Sequence, residues 1–252
     1  MAEQTRPVPE KLKNDAIVEA LVELRFDMPT GGLPEIFFVR LAQNPAWKKF
    51  EQRTLPAFHI PPVVRQSDEN LRFQPYFEVA APDKGRTVRI GSQVLSYHCL
   101  APYAGWEKFQ VELKDVVDWL FSQVSGLTVR RMGLRYMNAL RTDLHGINSV
   151  LDLDLTLTVA NERVSGNVNI NFTNAVNDNT LCTVRIATPE FIQGLVPPNT
   201  SVYVDVDVFT KEGFCSTNQA DVIAWINTAH TAEKQHFFCL LSDQKIRELR
   251  EK

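Results

Sequence analysis

Glycine is scarce, with 11 in 252 residues, and none falls into a G-x-x-x-x-G-K or G-x-G-x-x-G arrangement. Loops that cradle phosphates need glycines at those spacings so that backbone N–H groups can approach the ligand. A G-x-S-x-G elbow is also missing, as is a cysteine in a catalytic signature, so no hydrolase or thiol-enzyme motif stands out. The four cysteines, Cys99, Cys182, Cys215 and Cys239, are far apart and form no CxxC. That spacing fits reduced, mostly buried thiols in a cytoplasm better than disulfides or a zinc site. Positive charge is not in excess: 27 Lys and Arg stand against 30 Asp and Glu, a net charge of −3. Bulk attraction to a phosphate backbone is therefore lacking, and nucleic acid is not the favoured partner. Long apolar runs are lacking too, and the opening "MAEQTRPVPEKLK" has no apolar h-region. The chain is expected to be cytoplasmic, neither exported nor membrane-spanning, so the Asn-x-Thr/Ser triplets at Asn171 and Asn199 carry no meaning as glycosylation sites.

What is present is an ordinary globular composition, 44% hydrophobic and 23% charged, long enough for one large or two small domains. After an N-terminal arm (residues 1–13), "AIVEALVELRF" (Ala16 to Phe26) reads as a strand stopped by Pro29 and the Gly31-Gly32 pair, and "LPEIFFVRLAQ" as a short helix. Residues 53–70 hold Pro56, Pro61 and Pro62 and are expected to cross in an extended, irregular course. Two strands, "LRFQPYFEVA" and "TVRIGSQVLSYHCL", follow around the turn signal Pro82-Asp83-Lys84-Gly85. Between Trp106 and Val124, apolar residues (Trp106, Phe109, Leu113, Val116, Val117, Leu120, Val124) recur at spacings of three and four. This is the clearest amphipathic helix in the chain, and Gly126 ends it. A strand from Thr128 to Leu140 completes a β-α-β-β-α-β order over residues 14–142, the ferredoxin-like arrangement.

Residues 150–252 read differently, as four strands in succession, "LDLDLTLTV", "VSGNVNINF", "TLCTVRIAT" and "SVYVDVDVF", closed by a long helix from Asn218 that breaks at Ser242-Asp243. Leu151, Leu153, Leu155 and Leu157 alternate with Asp152, Asp154, Thr156 and Thr158, and Val202, Val204, Val206 and Val208 alternate with Tyr203, Asp205, Asp207 and Phe209. Such alternation predicts one core face and one wet face. The fold class is α+β: a ferredoxin-like half followed by a four-stranded antiparallel sheet with its helix.

Three stretches taken together, "NDAIVEALVELRFD", "YAGWEKF" (Tyr103 to Phe109) and "RRMGLRYMN" (Arg130 to Asn138), resemble the signature blocks of a sporadically distributed, functionally uncharacterised bacterial family of similar chain length. The closing "WINTAHTAEKQHFFCLLSD" is similar to that family's last helix, and Ala16 departs from it where proline is common. The resemblance implies no established activity and no cofactor. Its patchy distribution implies an accessory gene of mobile or antiviral-defence islands, CRISPR-associated ones included, encoding a regulator or partner subunit.

Within "RRMGLRYMN", alternation puts Arg131, Gly133 and Arg135 on one strand face and Met132, Leu134 and Tyr136 on the other. Cross-strand pairing with Glu19 and Glu23 explains such arginines without any function; a groove for an anion or an acidic partner is the functional alternative. Tyr103, in the loop before the helix, is the aromatic of "YAGWEKF" expected to be exposed for binding. The Asp and Asn positions of the second half, among them Asp152, Asp154, Asn167, Asn169, Asn171, Asp205 and Asp207, suggest oxygen ligands for a cation but read more simply as a solvated face. Glu233 and His236 form an E-x-x-H with His230 one turn earlier, yet the second E-x-x-H and further glutamates of a di-iron site are missing. The sequence thus predicts a non-enzymatic protein without cofactor or metal that binds another protein, encoded nearby, through Arg131, Arg135, Tyr136 and Tyr103. An anion-, nucleotide- or nucleic-acid-binding domain on the Arg131/Arg135 face is the alternative, and a metal-dependent hydrolase using the D-x-D strands comes third.

Overall fold

The structure is a computed structural model that describes residues 8–9, 11–27, 39–41, 43–81, 85–123, 125–192, 194 and 196–250. Its strands are β1 (Ile17–Asp27), β2 (Glu51–Thr54), β3 (Phe77–Ala81), β4 (Arg86–Ile90), β5 (Val94–Leu100), β6 (Thr128–Arg141), β7 (Thr158–Val159), β8 (Glu162–Arg163), β9 (Asn169–Asn177), β10 (Thr180–Ala187) and β11 (Thr200–Thr210). Nine of them hydrogen-bond in the order β2-β3-β4-β5-β1-β6-β11-β10-β9, and β7 pairs with β8 separately. The fold is α+β, as the alternating and helical periodicities predict. Contacts group the chain into two units, one within residues 1–19, 135–208 and 228–252, the other within 20–134 and 209–227.

In the unit of residues 20–134 and 209–227, β1 buries Ala20, Val22, Leu24 and Phe26 while Leu21, Glu23 and Arg25 stay half-exposed, the alternation expected of a strand with one core face. The helix Trp106–Gln123 buries Phe109, Leu113, Val116, Val117, Trp119 and Leu120. It rests on β5, where the Tyr97 ring stacks on Phe109 with centroids 5.4 Å apart. Glu112 of the helix accepts hydrogen bonds of 2.5 Å from the Tyr97 hydroxyl and from Nη1 of Arg86. Val124, the last residue of the predicted stripe, lies outside the described residues, and Gly126 follows with φ 79°, in the left-handed conformation that glycine adopts past a helix end.

The ferredoxin-like arrangement does not form. "TVRIGSQVLSYHCL" is a hairpin, not one strand: β4 and β5 run antiparallel with Ile90 opposite Leu95 and Arg86 opposite Cys99, and the Gly91 N–H donates to the Val94 carbonyl across the turn. A Cβ at Gly91 would lie 2.6 Å from the Gln74 carbonyl oxygen, so only glycine permits that close approach. The segment of residues 53–70 is not irregular either. It carries the end of β2, a 3-10 turn (Pro56–His59) and helices Pro62–Ser67 and Glu69–Arg72. Pro62 sits in the first turn, where a missing N–H costs nothing, and the Asp68 carboxylate accepts from the N–H groups of Asn70 and Leu71 to start the next helix. The predicted helix at "LPEIFFVRLAQ" and the turn at Pro82-Asp83-Lys84 lie, apart from residues 39–41 and 43, outside the described residues.

In the unit of residues 1–19, 135–208 and 228–252, the expected separate four-stranded sheet does not form: β9, β10 and β11 join the large sheet, and the two-residue β7 and β8 pair with each other. Of "LDLDLTLTV" only the last two residues, Thr158-Val159, form a strand, β7. Its first residues form a 3-10 turn, Val150–Asp152, in which Asp152 accepts from the N–H groups of Asn148 and Ser149 while Ser149 Oγ accepts from Leu151. The acidic residue that looked like the wet face of a strand is used in a capping box. On β11, Val202, Val204, Val206 and Val208 are buried as predicted, but Tyr203 and Asp205 on the opposite face are buried too. Tyr203 packs with Ala187 and Ile192, flanked by Met137 and Val196. The helix Gln219–Cys239 is continuous, and Ser242 caps a separate helix, Asp243–Leu249, at the predicted break.

Candidate interaction surface

The arginines of β6 are held by acids. Arg130 Nε donates to Asp27 at 2.6 Å. Arg131 Nη1 donates to Glu23 at 3.4 Å, and its guanidinium lies 5.0 Å from the centroid of the Phe209 ring; Glu23 also accepts from Arg25 at 2.7 Å. Arg135 makes a two-pronged contact with Asp205, Nε to Oδ1 at 2.8 Å and Nη2 to Oδ2 at 2.6 Å. That hydrogen-bonded carboxylate raises the pKa of Arg135 further. Glu23 is a partner that alternation predicts; Asp205, on a strand far away in sequence, is not. Tyr136 is 1% exposed, its ring 5.8 Å from that of His230, so it belongs to the core and offers no surface. Tyr103 is half-exposed and lies 6.0 Å from the Phe109 ring.

The other candidate groups are dispersed. Asp152 serves its capping box, Asp205 faces Arg135, and Asn169 accepts from Arg185 Nε at 2.9 Å. Among the described residues no three His, Cys, Asp or Glu side chains gather as metal ligands. Glu233 and His230 approach to 4.0 Å. Burial pushes the Glu233 carboxyl up to about 8 and the His230 imidazole down to about 4. Burial first, then the nearby Glu233 and Asp207, push the Cys182 thiol up to about 12. At neutral pH all three are uncharged, and a thiol so reluctant to ionise is no nucleophile. Ser96 Oγ lies 2.8 Å from His98 Nε2 on β5, but the two side chains are 4% and 5% exposed, closed to a substrate. Glu78, another buried acid, is raised by desolvation yet ends below its ordinary value because Arg89 and Arg53 bond to it.

The feature that sequence patterning overlooks is the end of the sheet. β9 pairs with β10 on one side, with Ile170 opposite Ile186, Phe172 opposite Val184 and Asn174 opposite Cys182, and it is last in the strand order. Seven of its nine residues are exposed and only Ile170 and Val176 are half-buried. Phe172 is 38% exposed although it shares a face with Val184, which is 1% exposed. The buried face of β10 thus continues onto β9 as Ile170, Phe172 and Asn174, of which Phe172 and Asn174 are exposed among the described residues. The segment "NINFTNAVN" has no charge and no proline, two of the usual means by which edge strands discourage pairing, although its register with β10 shifts by one residue at Val176. β2, at the opposite end of the order, has four residues and carries Glu51 and Arg53. The lack of charge in that run is visible in the sequence, but its place at the end of the sheet is not.

Compared with models of protein families and with curated protein sequences, the chain matches none.

Proposed function

We propose that this protein is a non-enzymatic accessory subunit that acts by assembling with another polypeptide, and that the outer edge of β9 receives a strand from it. The reading rests on one observation: a nine-residue edge strand, uncharged and bearing a partly uncovered apolar face. From Asn169 to Ala175, where its register is regular, every second residue of such a strand turns its N–H and C=O outward, so an added strand gains backbone hydrogen bonds there and side-chain contacts at alternate positions. The resemblance to an accessory family of defence islands agrees with a partner subunit encoded nearby. The anion-binding alternative would require Arg131 and Arg135 to exchange Glu23 and Asp205 for a ligand.

The test is co-expression of the tagged chain with an untagged copy of itself and with the products of adjacent genes, comparing wild type with a Thr173→Lys/Ala175→Lys variant. Loss of an association on charging the edge is expected. A folded variant that keeps every association of the wild type overturns the reading, and loss only in an Arg131→Glu/Arg135→Glu variant moves the surface to β6.

A further inference from the structure

We infer that Arg53 and Arg89, gathered on the carboxylate of Glu78, form a site for a phosphate-type oxyanion, separate from β9 and independent of the edge reading above. The sheet register sets Arg53 of β2, Glu78 of β3, Arg89 of β4 and Ser96 of β5 directly opposite one another in a single row. Residues directly opposite in antiparallel strands share a face. The two arginines therefore start about 10 Å apart, two strand spacings, and lean toward the acid between them. Arg53 Nε donates to Oε1 of Glu78 at 2.5 Å and Arg89 Nε donates to Oε2 at 2.6 Å. The carboxylate is 5% exposed, whereas the arginine side chains are 52% and 40% exposed, so a ligand from solvent reaches the guanidinium groups and not the acid that holds them.

The arginines of β6 are spent differently. Arg131 lies against the Phe209 ring as well as Glu23, and Arg135 gives both Nε and Nη2 to Asp205. Arg53 and Arg89 give only Nε, and among the described residues neither has a further hydrogen bond, ion pair or ring contact. Both Nη groups of each remain available as donors. Two guanidinium charges also meet a single carboxylate, an imbalance that a bound anion relieves. Glu51, the other acid on this face of β2, is exposed and stands opposite Ala80, one row further along, beside the pair and not between its members. The class of anion follows from the donors. A flat carboxylate fills one guanidinium fork, but two forks arriving from different strands suit a tetrahedral oxyanion with oxygens on several sides. Glu78 is then a positioning residue: it brings two like charges together and never touches the ligand.

The test titrates the purified full-length protein with inorganic phosphate at constant ionic strength, by calorimetry and by thermal melts. Wild type is expected to bind saturably and to melt at a higher temperature with phosphate than with chloride. Arg53→Gln leaves Arg89 on Glu78, so the fold survives, which circular dichroism checks; its affinity for phosphate should fall about tenfold or more. Arg53→Lys keeps the charge but not the fork and should also bind more weakly than wild type. Adenosine monophosphate and phosphoserine, titrated in the same way, tell the sources apart: tighter binding of one of them names the molecule that carries the phosphate, and equal binding of all three names the free ion. Absence of saturable binding up to about 10 mM phosphate, in the millimolar range of the weakest specific sites, overturns the inference. So does a folded Arg53→Gln that binds as wild type does, or an affinity lost in Arg131→Gln and kept in Arg53→Gln.

Discussion

Arg135 and Asp205 meet in a two-pronged ion pair, Nε to Oδ1 and Nη2 to Oδ2 at 2.8 and 2.6 Å, with the carboxylate buried and the guanidinium partly open to water. Paired this way, Arg135 satisfies a buried acid, so the acid depends on the arginine more than a surface pair would. Asp205→Asn, which keeps the shape but not the charge, should destabilise the protein by about 1–3 kcal/mol, read as a lower urea midpoint at unchanged slope. Arg131→Ala removes a longer contact at 3.4 Å from a more exposed acid and should cost about 1 kcal/mol or less. Equal effects from the two changes would contradict the difference in their surroundings.

The helix Trp106–Gln123 offers a second measurement. Leu113 and Leu120 are both within 1% of complete burial. Replacing either by alanine leaves a hole between helix and sheet and should lower stability by about 2–5 kcal/mol. A thermal midpoint unmoved by both would mean that the helix does not pack there.

Gly91 controls the hairpin that replaces the single strand expected from the sequence. A Cβ at that position would lie 2.6 Å from the Gln74 carbonyl oxygen and 2.8 Å from Val94 Cγ1, against backbone that cannot swing aside. Gly91→Ala should therefore destabilise by more than about 1 kcal/mol, the range of a strained or overpacked site, whereas Gly166→Ala, where nothing lies within 4 Å, should be nearly silent. Parallel denaturant curves for the two variants give the comparison.

Glu233 makes stability depend on pH. Its carboxyl titrates at about 8 in the folded chain against an ordinary 4.5, so the folded state holds the extra proton between those values. Stability therefore declines as pH rises from 4.5 to 8. His230 acts in the opposite sense: held at about 4 against 6.5, it loses stability as pH falls through that interval. Glu233→Gln should remove the alkaline decline, a few kcal/mol in order of magnitude, and leave the acid one. Thermal melts of both proteins from pH 4 to 9 should show the midpoints separating progressively as the medium becomes alkaline. A constant offset across that range would count against a buried protonated carboxyl.

How much of this the sequence disclosed depended on whether the governing interaction was local. The stripe from Phe109 to Leu120 and the alternation of Val202 to Val208 expose their partners' demands through period alone, and both elements form as read. "LDLDLTLTV" has the same clean period, yet Asp152 finds nearer donors in the N–H groups of Asn148 and Ser149, and local capping prevails over pairing. Gly91 looked like an ordinary strand glycine because the atom it must avoid, the Gln74 carbonyl oxygen, belongs to another segment. Among the candidate contacts, Glu23 was visible as a neighbour of Arg131 because β1 and β6 were foreseen side by side. Asp205 was hidden because the sheet was expected to end before β11. The exposure of β9 could not be foreseen for the same reason: an end of a sheet is defined only once the order of all its strands is known.

That order has a further consequence. The short β2, with Glu51 and Arg53, stands at one end of the sheet and the bare β9 at the other. A partner strand taken up at β9 leaves the charged β2 as the remaining end of this sheet among the described residues. Any further strand then meets charge at that end, whereas a chain with both ends bare could add copies without limit and make fibres. Unequal ends thus let a strand as sticky as β9 exist without condemning the protein to aggregate.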